Sequence, residues 1–163
     1  MKKAIYSGTF DPITNGHIDI LKRGLKIFDS IIVAVGINAS KKTMFDTNTR
    51  IELIKEATKD LAGVKVMSFD NLLVDFAKEQ DVNNIIRGLR AVSDFEYELQ
   101  MGYANNSLDE NLETIYLMPT LNNAFVSSSI VRELIKHNGK ISHLVPNNII
   151  NKLKNNSKEN TCT

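Results

Sequence analysis

Cysteine is nearly absent: across 163 residues the one example is Cys162, set in a polar C-terminal stretch. A lone cysteine builds neither a disulfide framework nor a zinc cluster, and it predicts a reducing, cytoplasmic setting. An excess of positive charge is missing too. With 20 basic and 19 acidic residues the formal net charge is +1, too even for a surface that binds nucleic acid through its phosphates, so any anion site must be local. No stretch approaches the roughly 20 apolar residues of a membrane span, and the run after Met1-Lys2-Lys3 is too short for a signal peptide. Neither membrane nor nucleic-acid partners are expected. A Gly-x-Gly-x-x-Gly fingerprint and a Walker-type phosphate loop are both missing, which argues against a dehydrogenase and a P-loop nucleotidase. There is also no cluster of carboxylates to cage a metal ion.

What is present is a chain of one-domain length with 42% apolar residues. Ala4 to Tyr6 begins an apolar run ended by Gly8 and Pro12, and Ile18, Leu21, Leu25 and Phe28 follow at helical spacing. Ser30 to Ile37 reads as a strand buried on both faces, with a capping box at Thr49 to Glu52 opening the next helix. Further strands are predicted at Val64–Phe69, Asn84–Arg87 and Thr114–Met118. Helices are predicted at Leu72–Gln80, after a capping box at Ser93–Glu96, and after Ser127-Ser128-Ser129. Five βα units imply an α/β fold: a single Rossmann-like domain with a five-stranded parallel sheet and helices on both faces. The domain is expected over residues 1–154, with 155–163 a flexible polar tail.

Every chemically suggestive motif falls at the carboxyl end of a predicted strand, where such folds bind ligands. Between the first strand and helix lies Gly8-Thr9-Phe10-Asp11-Pro12-Ile13-Thr14-Asn15-Gly16-His17. Free amides at the helix start, with the positive end of its dipole, suit phosphate oxygens, and His17 can donate to the same anion. The alternative is an ordinary loop with Asp11 and Asn15 as turn formers. Arg87-Gly88-Leu89-Arg90 after the fourth strand offers two guanidinium groups for phosphates, or is a solvated basic loop. Ser40-Lys41-Lys42 after the second strand could neutralise charge on a transferring phosphorus. The three serines before the last predicted helix, Ser127 to Ser129, could hold the β and γ phosphates of ATP or merely cap that helix.

The first loop resembles the nucleotidyltransferase signature His-x-Gly-His, with Thr14 in place of the first His. Together with Tyr6-Ser7-Gly8-Thr9-Phe10-Asp11-Pro12 and Ile86-Arg87-Gly88-Leu89-Arg90, it is similar to the bacterial phosphopantetheine adenylyltransferase family over residues 2 to about 150. That resemblance implies transfer of the adenylyl group of ATP to 4'-phosphopantetheine, giving dephospho-coenzyme A and pyrophosphate. It also implies Mg2+ carried with the ATP phosphates and a homohexamer. By the same resemblance, Thr9, His17 and Lys41 would be catalytic. ATP would be bound by Thr9, Phe10, His17, Gly88, Leu89, Arg90, Glu98 and the run Asn123, Ala124, Phe125, Val126, Ser127, Ser128, Ser129. The acceptor would be bound by Thr9, Lys41, Leu73 and Arg87. The chain departs from the family pattern at Ser7, where proline is usual, at Leu73, where methionine is common, and at Asn123, where some members carry a large aromatic.

The attacking phosphate oxygen is already anionic, so no strong general base is expected and catalysis should rest on positioning and charge stabilisation. The competing readings are another nucleotidyltransferase, which Thr14 argues against, and a module that binds ATP without turnover.

Overall fold

Along the first strand, Ala4 and Tyr6 enter one apolar cluster while Ile5 enters another. Successive side chains of a strand alternate between faces, so this is the pattern of a sheet covered on both sides. The computed structural model describes residues 1–38, 42–90 and 92–159, with the side chains of 92–94 and 156–159 outside that description. Its elements are β1 (Lys3–Gly8), α1 (Asn15–Gly24), β2 (Ser30–Gly36), α2 (Thr47–Thr58), β3 (Val64–Phe69) and α3 (Leu73–Glu79). They continue with β4 (Asn84–Gly88), α4 (Val92–Leu108), β5 (Glu113–Leu117), α5 (Ser128–Lys136) and α6 (Ile150–Glu159). The five strands are parallel in the order β3-β2-β1-β4-β5, so the chain reverses its direction of winding between β1 and β4. The α/β fold with a five-stranded parallel sheet is the one the sequence predicts.

The larger core joins α1, α2 and α5 to one face through Ile20, Leu21, Leu53, Ile54 and Val131. It also takes in Ile141, Leu144, Val145, Ile149 and Leu153 from the C-terminal segment. On the other face α3 packs Val74, Phe76 and Ala77 against Ile5, Ile32, Ala34 and Ile85.

Three helix boundaries differ from expectation, one of them that of α4, which begins at Val92 rather than after a cap at Ser93. Helix α2 is capped not at Thr49 but at Asp46, whose carboxylate accepts the Thr49 N–H at 2.8 Å, and this starts the helix three residues earlier, at Thr47. An Asp at N-cap reaches the N3 amide as well as a Thr would, and its charge also suits the helix dipole. Helix α6 extends to Glu159, five residues into the stretch read from sequence as a tail, and is reached through a 3-10 turn at Asn147–Ile149. Leu153 anchors it, fully buried in the larger core.

Candidate active site

The reversal between β1 and β4 opens a cleft at the carboxyl ends of these strands, with a volume of about 220 Å³. Sites in open parallel sheets form at this kind of switch point. Of the residues singled out in the sequence, Thr9, Phe10, His17, Arg87, Gly88, Arg90, Glu98, Val126 and Ser128 line it together.

His17 is the third residue of α1 and completes a capping box with Thr14. The Thr14 backbone N–H donates to His17 Nδ1 at 3.0 Å, and the His17 N–H donates to Thr14 Oγ1 at 3.4 Å. Because a backbone amide can only donate, Nδ1 must carry the lone pair and the ring proton sits on Nε2. Burial, followed by the charges of Arg90 and Arg87, lowers the His17 pKa from 6.5 to about 3. The imidazole is therefore a neutral donor at physiological pH. Its ring meets Phe10 edge-on at 5.0 Å, and Phe10 in turn meets Tyr6 at 5.4 Å. Burial raises the Tyr6 phenol above its ordinary value, so it too keeps its proton.

Few amides of the first α1 turn remain available. The Asn15 N–H donates to Leu144 O at 2.8 Å and the His17 N–H is taken by Thr14, which leaves Gly16 as the first-turn amide at the cleft. Gly16 has a second task. A Cβ there would lie 3.2 Å from Val126 O and 3.6 Å from Asn123 O, so glycine is what lets the 123–126 segment close against α1.

Arg87 and Glu98, assigned from the sequence to different substrates, hold each other. Arg87 Nε donates to Glu98 Oε2 at 2.6 Å and Nη2 donates to Oε1, while Nη1 donates to the Ser7 carbonyl and to Ser7 Oγ. Of five guanidinium donors, one on Nη2 remains. The other cleft carboxylate, Asp11, is also committed: it is 3% exposed and accepts the amides of Met44 at 2.8 Å and Phe45 at 2.9 Å.

Two arginines absent from the sequence reading belong here. Arg132 lines the cleft from α5, donating to Asp11 O at 2.6 Å and to Ser129 Oγ at 3.2 Å, with its guanidinium 3.7 Å from the Asp11 carboxylate. Its spacing from Ser128 and Ser129, four and three residues on, puts all three on one face of α5. Arg50 lies behind the cleft on the α2 face that buries Leu53 and Ile54, so it was legible as an arginine on an apolar stripe.

Other predicted residues sit outside the cleft lining. Ser127 caps α5 by accepting the Ile130 N–H at 3.2 Å, Phe125 is 59% exposed, and the Leu89 N–H donates to Leu117 O. Asn123 Nδ2 donates to Thr120 Oγ1 at 3.0 Å, and the Ala124 N–H donates to Leu121 O at 3.3 Å. Leu73 packs on the smaller core at the start of α3. Lys41 lies outside the described residues. Among those described, no group of three or more His, Cys, Asp or Glu is placed to hold a metal ion, and no helix is long and apolar enough to cross a membrane.

Residues 5–134 match the model of the cytidylyltransferase-like family. A phosphopantetheine adenylyltransferase of Nautilia profundicola is 65% identical over 151 residues, covering 93% of this chain and 98% of its own. The protein of the same name from Helicobacter hepaticus is 62% identical over 145 residues, covering 89% and 88%. Among solved structures, that of a candidate nicotinate-nucleotide adenylyltransferase from Vibrio parahaemolyticus superposes with a TM-score of 0.72 at 19% identity, covering 97% of both chains, a likeness of fold. With the cleft at the β1/β4 reversal and a neutral His17 in the first turn of α1, these matches place the chain in the phosphopantetheine adenylyltransferase family of cytidylyltransferase-like enzymes.

Proposed function

We propose that this cleft transfers the adenylyl group of ATP to 4'-phosphopantetheine, yielding dephospho-coenzyme A and pyrophosphate. The observation that carries the reading is His17, locked by Thr14 as a neutral imidazole with its Nε2 proton free of that lock. Such a donor stabilises charge gathering on a phosphoryl oxygen without giving up its proton.

The phosphate of the acceptor attacks the α phosphorus. A new O–P bond forms as the bond to the β phosphate breaks, and the electron pair leaves with pyrophosphate. No protein nucleophile takes part. Thr9 and Lys41 join His17 in stabilising the transferring group, and Thr9 also orients the acceptor. Arg90, Ser128 and Arg132 take the nucleotide's phosphates, and the remaining Nη2 donor of Arg87 meets the acceptor, whose arm reaches Leu73. Glu98 acts by fixing Arg87. Gly88, Leu89 and the 123–129 segment border the nucleotide. Because Asp11 and Glu98 are committed to the protein, Mg2+ in this reading is held by ATP oxygens and supplies charge neutralisation there. We further infer a cytoplasmic homohexamer; self-association is supported by α4, where Tyr97, Met101 and Leu108, 41–60% exposed, share one helix face suited to another copy.

Incubating the purified protein with ATP, Mg2+ and 4'-phosphopantetheine and resolving products by liquid chromatography and mass analysis tests the proposal. Dephospho-coenzyme A with equimolar pyrophosphate is the expected result. ATP binding without either product would reduce the protein to a binding module.

A further inference from the structure

Arg50 is 3% exposed, and among the described ion pairs none involves it. Its guanidinium donates instead to neutral oxygens: Thr9 O at 2.7 Å, Thr47 Oγ1 at 2.9 Å, Phe45 O at 3.2 Å and, at the limit, Gly36 O at 3.5 Å. The nearby carboxylates of Asp11 and Asp46 offset part of the cost of taking this charge out of water, though among the described bonds neither accepts one from it, and an apolar side chain would fill the same volume beside Leu53 and Ile54. The shortest of these bonds explains the arginine.

The cis bond of the described chain is Asp11–Pro12, so the Thr9–Phe10 peptide is trans. The carbonyl and amide of one trans peptide point in opposite directions. Drawing the Thr9 carbonyl toward Arg50 therefore turns the Phe10 N–H away from Arg50. Thr9 and Phe10 both line the cleft and Arg50 does not, so an amide turned away from Arg50 is turned toward the cleft side of the loop. Phe10 itself sits at φ 49, a left-handed conformation disfavoured for a residue with a bulky side chain, and it needs surrounding bonds to persist.

We propose that Arg50 is a positioning residue for adenylyl transfer: it holds the Thr9–Phe10 peptide so that the Phe10 amide is a preset hydrogen-bond donor to the nucleotide's phosphates. The inference rests on the reading of the cleft given above. Arg50 touches no substrate; it acts through one peptide plane.

The test compares Arg50→Met, Arg50→Lys and Thr47→Val for melting temperature, KM for ATP, kcat by pyrophosphate release, and the Phe10 amide resonance with and without ATP and Mg2+. In the native protein the Phe10 amide proton should move downfield on adding ATP. Arg50→Met should lose that movement while the Ser128 amide still responds, and kcat should fall about 100-fold, as for loss of one preorganised donor. Arg50→Lys, which keeps the charge and can still reach a carbonyl, should recover about a tenth of native kcat with KM for ATP changed less than about threefold. Thr47→Val removes a bond on the side away from Thr9, so it should lower the melting temperature and leave kcat within about twofold. Folded Arg50→Met with near-native kcat, or loss of kcat in Thr47→Val in step with melting temperature, would overturn the proposal. Should Arg50→Met not fold, Arg50→Lys decides alone: near-native kcat with an unmoved Phe10 amide rejects it. If the native protein forms no product, the reading of the cleft has failed, while the Phe10 resonance still reports whether Arg50 sets that amide.

Discussion

The β1–α1 loop and α4 both reach the cleft, and they are held in opposite ways. The loop is tied from four other parts of the chain: Arg50 on α2, the amides of Met44 and Phe45 on Asp11, Arg132 and Ser128 on α5, and Leu144 O on the Asn15 amide. Helix α4 makes its polar ties to the sheet, among the described residues, at Glu98: its carboxylate to Arg87 and its carbonyl to Tyr116, whose hydroxyl donates at 2.8 Å. Elsewhere α4 exposes Phe95, Tyr97, Met101, Tyr103 and Leu108 among polar side chains. Donors aimed at a developing charge help only if they need no rearrangement, and the loop meets that condition within one chain. Helix α4 does not meet it: beyond Glu98 it is held by few polar ties among the described residues.

If the loop is the preset half of the site, the largest effect should come from its donor. His17→Ala is expected to cut kcat about 100- to 1000-fold with little change in KM for ATP, measured by pyrophosphate release. A similar loss confined to KM would make the loop a binding surface only. The α4 side is probed by Glu98→Gln, which replaces a bidentate ion pair with a single bond from the Arg87 guanidinium to a neutral amide oxygen. It should lower stability by about 2 kcal/mol in chemical denaturation and raise KM for 4'-phosphopantetheine as Arg87 loses its fixed orientation.

A pH series separates the halves more finely. His17 has a folded pKa of about 3 against 6.5 ordinarily, so below about pH 6.5 the unfolded chain takes up a proton that the folded site refuses. The contribution of neutral His17 to stability is therefore complete above pH 6.5 and is lost progressively as pH falls toward 3. Melting temperatures from pH 7 to 4 should fall more steeply in the native protein than in His17→Asn. The smallest effect is expected from Tyr116→Phe, which removes one hydroxyl bond to the Glu98 carbonyl: about 1 kcal/mol of stability, with kcat nearly unchanged. A loss of activity comparable to Glu98→Gln would show that Tyr116 also sets the Arg87–Glu98 pair.

Much of this was legible because it is local. Buried parallel strands read as Ile/Val runs, the Gly8–His17 motif sits where a strand gives way to a helix, and Ser127–Ser129 marks the start of α5. The C-terminal segment was not legible: Ile141, Leu144, Val145, Ile149 and Leu153 are scattered among Asn and Lys and interrupted by Pro146, so no period announces their burial. The roles of Arg50 and Arg132 escaped for another reason. The bonds that tie each to the β1–α1 loop run to the distant carbonyls of Thr9 and Asp11, and a carbonyl leaves no mark in a sequence.

Composition and alternation by themselves determined the class of fold and the order of its elements as far as α5, and motif chemistry named the loops expected to seek phosphate. These follow from short-range rules of spacing and backbone freedom. Tertiary structure alone decided the protonation of His17, the mutual capture of Arg87 and Glu98, and the hold of Arg50 on the Thr9 carbonyl. Each depends on how much water is excluded and on which carbonyl or carboxylate a distant segment brings within about 3 Å, and strand and helix patterns do not carry that information.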